Sequence, residues 1–96
     1  MRISEVTPNV IADYIHEDSN DATVIVQLNM MRSAAIAFMR SYTGQNSEYI
    51  DEHEEFTPVL LALVADMYDT RSYRVDNDKI NPFAESVLDM HRINLL

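Results

Sequence analysis

Acids, histidines and arginines are the residues here whose spacing could do chemistry, and most of their patterns break on inspection. Asp18-Ser19-Asn20-Asp21 and Asp76-Asn77-Asp78 have the alternating acids of a calcium loop. The third alternate position, however, is Ala22 in one and Ile80 in the other, and neither stretch has the central glycine that the sharp turn needs. Both read as solvated turns. His53-Glu54 is a fragment of a zinc-protease pattern, but Thr57 stands where the second histidine belongs. His91 falls on the apolar face of a predicted last helix and reads as a core-edge histidine rather than a general base. The chain has no cysteine, which excludes disulfides, thiol catalysis and thiolate metal sites. With three histidines as the remaining soft donors, a structural zinc site is not expected. One glycine cannot build a phosphate-cradling loop, and no serine is flanked by glycine as a nucleophile elbow requires. The expectation is therefore a protein with no catalytic residue, no cofactor and no metal.

Charge gives a stronger signal. Glu48, Asp51, Glu52, Glu54 and Glu55 place five acids in eight residues with no Lys or Arg among them. They form either a solvated loop that keeps the protein soluble or a surface that must face another polyanion without holding it. Across 96 residues, 7 Lys+Arg against 16 Asp+Glu leave a net charge of −9. That balance opposes general nucleic-acid binding, which needs cations to displace condensed counterions, and it opposes anionic membrane surfaces. Arg32 and Arg40 interrupt an otherwise apolar stretch. A buried cation must find a partner, so they are expected to pair with Asp66 or Asp69, or with a neighbouring subunit.

The elements that position these groups follow from caps and periodicity. Thr7-Pro8, Thr57-Pro58 and Asn81-Pro82 each join a capping side chain to a proline, whose missing N–H costs nothing in a first turn. They predict helices over Pro8 to His16, Pro58 to Tyr73 and Pro82 to Arg92. Between the first two, Val24, Leu28, Met31, Ala35, Phe38 and Tyr42 recur at spacings of four and three. That stripe predicts a helix from Asp21 to Thr43, roughly 35 Å long, stopped by Gly44. Gln45 to Phe56 is a linker with room for one helical turn opened by Ser47. The Pro58 helix is apolar on more than one side and should be the most buried. Phe83, Val87, Leu88 and His91 form the face of the last helix. The fold class is all-α: a compact bundle of about four helices around one long central helix, residues 1–96 forming a single domain. The N-terminus lacks an apolar signal-peptide core, and the longest nearly continuous apolar run, Val59 to Ala65, falls far short of the ~20 residues that span a bilayer. No membrane association is expected.

Three segments in this order carry a resemblance. A short opening helix and acidic turn lead into a long helix ending Ser41-Tyr42-Thr43-Gly44. The apolar helix LLALVADMYDTR follows, Leu60 to Arg71, and then the terminal NPFAESVLDMHRINLL, Asn81 to Leu96. Together they resemble the small head–tail connector proteins of tailed bacteriophages, in the branch found in Gram-positive phages and prophages. The resemblance implies an α-helical virion component, made in the bacterial cytoplasm, that assembles as a ring on the portal. Such a ring extends the DNA channel and offers a platform to the stopper or tail-completion protein. It implies no catalytic residues. The density of acids between Glu48 and Glu55 departs from the family pattern. If the cluster lines the channel, its charge lets DNA pass nearby without tight binding. The rival class is a small acidic regulatory protein that mimics DNA, although here the acids crowd one linker instead of following a rod. Finally, Ile93, Leu95 and Leu96 make an unusually apolar tail. It either folds back over the Leu60–Met67 helix or docks on the portal or an adjacent subunit.

Overall fold

The computed structural model describes residues 1–75 and 77–93. Five helices appear among them and no strand: α1 Pro8–Tyr14, α2 Ala22–Thr43, α3 Ser47–Glu52, α4 Phe56–Thr70 and α5 Pro82–Met90, with 3₁₀ turns at Ile3–Glu5 and Asn77–Lys79. The fold is all-α, with four longer helices and the short α3 inside the predicted linker.

Local chemistry explains most boundaries. The Thr7 hydroxyl accepts from the Val10 N–H at 3.3 Å, the Asp21 carboxylate from the Thr23 N–H at 2.9 Å, and the Asn81 side chain from the Phe83 N–H at 2.8 Å. Each satisfies a first-turn donor with no partner inside the helix. Asp21 and Asp18, which accepts from the Asn20 N–H at 2.8 Å, thus serve the turn itself. Gly44 closes α2 at φ 74°. Helix α1 ends at Tyr14, earlier than His16, because His16 takes φ 63° and the Glu17 N–H reaches back to the Ala12 carbonyl at 2.8 Å. Arg71 closes α4 in the same way at φ 53°, with the Ser72 N–H on the Met67 carbonyl at 2.9 Å, so that helix stops before Tyr73. In α5 the last helical residue is Met90, not Arg92.

Three expectations require larger corrections. Thr57 does not cap α4: the helix begins at Phe56 with Glu55 as its cap residue. Pro58 is tolerated in the first turn, and the Thr57 hydroxyl donates to the Met1 carbonyl at 2.6 Å. Phe83 is exposed; the buried side of α5 is Ala84 and Leu88. Arg32 pairs with neither Asp66 nor Asp69. Its Nε donates to the Val6 carbonyl at 2.6 Å and its Nη2 to the Ile3 carbonyl at 3.0 Å, fastening the N-terminal segment to the middle of α2. Arg40 is exposed near the end of α2.

One apolar core joins the helices. Leu28, Met31, Ala35 and Met39 of α2 are buried with Leu60, Leu63, Val64 and Met67 of α4, Ile11 of α1 and Leu88 of α5. Phe38 and Tyr42 lie half-buried at its edge. By length and composition alone α2 is also apolar enough to cross a membrane. Its buried stripe packs against α1, α4 and α5, with 28% of its most apolar stretch inside the fold.

Candidate functional site

The α3 corner gathers the acids of residues 48–55 with His53 and His91. Asn46 opens the helix by accepting from the Tyr49 N–H at 2.8 Å, so Ser47 is its first residue and not its cap. Ile50 is buried and Tyr49 half-buried, which anchors the six-residue helix to the core and turns Glu48 and Glu52 outward.

Those acids do three different things. Glu48 and Glu52 are exposed. Asp51 faces the N-terminal segment, accepting from the Ser4 N–H at 2.8 Å with the Arg2 guanidinium 3.9 Å away. The hydrogen bonds from Ser4, then the charges of Arg2 and Arg32, hold its pKa below the usual Asp value. Glu54 accepts from the Met1 ammonium at 2.6 Å, which likewise lowers its pKa. Glu55 lies 2.7 Å from Nε2 of His91. Three members of the predicted cluster are therefore engaged within the chain.

Around His91 the corner becomes aromatic. Tyr49 stacks on His53 with ring centres 4.1 Å apart, and His91 sits against Phe56 at 4.7 Å and His53 at 5.1 Å. The His53 Nδ1–H donates to the Tyr49 carbonyl at 2.7 Å, and Nδ1 of His91 shares a hydrogen bond with the Tyr49 hydroxyl at 2.8 Å. His91 Nε2 is buried and makes no hydrogen bond, although the Glu55 oxygen lies 2.7 Å from it. One donor atom each from His53, Glu55 and His91 lies within 4.8 Å of the others. His91 is at the core edge, as expected. Its gathering with His53 and Glu55 was missed because the chain returns to this corner 42 residues after Tyr49.

The tail leaves from the same place. Gln45 donates to the His91 carbonyl at 2.9 Å, and the Ile93 N–H donates to the Thr43 carbonyl at 2.8 Å. Ile93 thus lies beside Gly44 at the end of α2 and is 41% exposed. Leu95 and Leu96, the rest of the candidate docking tail, lie outside the described residues.

Elsewhere, among the described residues, the surface carries two apolar stripes. Val26 and Met30 are one turn apart on α2 and both more than half exposed. Phe83 and Met90, exposed at 50% and 76%, flank the half-buried Val87 on α5 at spacings of four and three. A groove of about 740 Å³ between the end of α4 and residues 72–80 is lined by Asp66, Asp69, Asp78, Arg74 and Lys79. Burial, and then Asp69, raise the pKa of Asp66.

Comparison with protein-family models, with curated proteins and with solved structures finds no match for this chain.

Proposed function

We propose that this chain is a head–tail connector of a tailed bacteriophage or prophage, assembling as a ring on the portal, extending the DNA channel and bridging to the stopper or tail-completion protein. The observation that carries self-assembly is the pair of unlike apolar stripes, Val26–Met30 on α2 and Phe83–Val87–Met90 on α5. A closed ring needs a heterologous contact, one surface meeting a different surface of the next subunit. Exposed apolar patches that are not scattered singly are what such a contact uses. The assignment of that ring to the head–tail interface rests on the resemblance of the Ser41–Gly44, Leu60–Arg71 and Asn81–Leu96 segments. These correspond to the end of α2, most of α4, and α5 with the tail.

The net charge of −9 suits a channel wall, because phosphates are repelled rather than held. Glu48 and Glu52, which face outward, are the strongest candidates for that wall. The DNA-mimic alternative has weaker support, since Asp51, Glu54 and Glu55 are directed at groups in their own chain. The reading assigns no catalytic residue and no membrane contact, and places the protein in the virion.

Complementary variants test it. Val26→Asp with Met30→Asp removes one face, and Phe83→Asp with Met90→Asp removes the other. All four positions are exposed, so both variants should keep the helical circular dichroism of the parent. The parent should form rings on its portal or at high concentration, visible by negative-stain microscopy and native mass spectrometry. Each variant alone should remain monomeric, and an equimolar mixture should yield dimers and no rings. A parent that neither self-associates nor binds the portal protein encoded with it would end the connector assignment. Competition with DNA for a DNA-binding protein would move support to the mimic.

A further inference from the structure

We infer that His53, Glu55 and His91 form a binding site for a borderline divalent transition-metal ion, of which zinc is the type. The donor set is two imidazoles and a carboxylate, the combination that holds zinc with one position left to water. Nothing in the connector reading requires it.

Ring chemistry sets the ligand atoms. A backbone carbonyl only accepts, so the short contact between His53 Nδ1 and the Tyr49 carbonyl places the proton on Nδ1. The lone pair of the neutral ring is then on Nε2. His91 is held through its own Nδ1 by the Tyr49 hydroxyl, which can accept from Nδ1–H and leave Nε2 as the donor to metal. Both rings are thus gripped at Nδ1 by one residue, the outer-shell arrangement that orients histidine ligands. The buried Nε2 of His91 makes no hydrogen bond, and its polar neighbour is the Glu55 oxygen 2.7 Å away, so the two groups proposed as ligands already face each other.

Distances permit closure. Tetrahedral donors around zinc stand about 3.4 Å apart at ordinary bond lengths, and here one ring nitrogen of each histidine and a Glu55 oxygen lie within 4.8 Å of one another. Glu55 lies nearer than that to His91, at 2.7 Å. Its side chain, 48% exposed, is free to rotate outward to the spacing a metal requires. Hard cations are disfavoured, since calcium takes six or more oxygens and magnesium an octahedron of them. An ion bound here would pin the end of α5 to the turn between α3 and α4.

The test uses the whole chain with any purification tag removed, titrated with Zn²⁺ in a calorimeter and with Co²⁺ by visible absorption. One ion per chain is expected, with the intense bands of four-coordinate cobalt and no displacement by excess Ca²⁺ or Mg²⁺. Glu55→Gln and His53→Gln should each weaken binding more than ten-fold. Tyr49→Phe, which keeps the stacked ring and removes the hydroxyl, should weaken it by roughly 10–100-fold. Glu55→His restores a third donor and should bind at least as tightly as the parent. Because Glu55 is half exposed and makes no side-chain cap bond, its two variants should fold even where a histidine variant does not. Absence of saturable binding, or equal affinity in the parent and Glu55→Gln, would overturn the site.

Discussion

The seam between α2 and α4 and the corner around α3 are built on opposite principles. Along the seam, Leu28, Met31, Ala35 and Met39 are buried with Leu60, Leu63, Val64 and Met67, and every one of these side chains is apolar. Such packing is non-directional and proportional to the area removed from water. At the corner, Tyr49, His53, Glu55 and His91 bring polar atoms into an aromatic setting, and each such atom needs a partner at a definite angle. The seam therefore tolerates local adjustment and carries stability, whereas the corner carries specificity.

The largest effect should come from the seam. Leu63→Ala should destabilise the chain by ~2–5 kcal/mol, as core truncations do, measured by urea denaturation; a neutral result would remove the seam from its place as the stabilising region. Arg32→Ala comes next. It leaves the Val6 and Ile3 carbonyls short of a donor and should cost about 1–3 kcal/mol, with Arg32→Lys recovering only part, since an ammonium cannot reproduce the guanidinium fork. Phe38→Ala should cost about 1–2 kcal/mol, because a half-buried ring already keeps part of its surface in water; a loss equal to that of Leu63 would extend the core to the edge of α2. At the corner, Tyr49→Phe should cost about 0.5–1.5 kcal/mol in metal-free protein for the hydrogen bond to His91.

The smallest effect is a pH dependence. Asp51 has a folded pKa below its ordinary value, so its contribution is complete above about pH 4 and is lost as pH falls through the lower folded value. Denaturation midpoints at about pH 5 and about pH 3 should converge between parent and Asp51→Asn on the acid side. A gap that widens with acid would reverse the sign and disprove the contact with Ser4.

Legibility in the sequence followed the same division. Thr7, Asp21, Asn81 and Gly44 act on backbone within a few residues, so their roles were readable from type and position. His16 and Arg71 close helices in the left-handed conformation usually left to glycine, and nothing in their identity announces it. For Arg71, the Tyr68 ring 4.0 Å from its guanidinium supplies a compensating contact. The need of Arg32 for a partner is plain from its apolar surroundings, but backbone carbonyls have no sequence signature. Thr57 has the type and position of a cap, whereas its actual partner lies 56 residues away. The acids at 48–55 were visible as a cluster, yet their division among Ser4, Met1 and His91 depends on where distant segments return.

That dependence on distant segments has a kinetic side. A six-residue helix such as α3 cannot persist alone, since nucleation is costly and only a few bonds reward it. The hydrogen bonds that hold its surroundings bridge 42 to 56 residues of chain. Contacts of such separation form only after much loop entropy has been lost. The corner should therefore assemble last and open first. In native-state hydrogen exchange, the amides of α3 should exchange through a local opening well below the free energy of global unfolding, while those at the centre of α2 and α4 should wait for the whole chain to unfold.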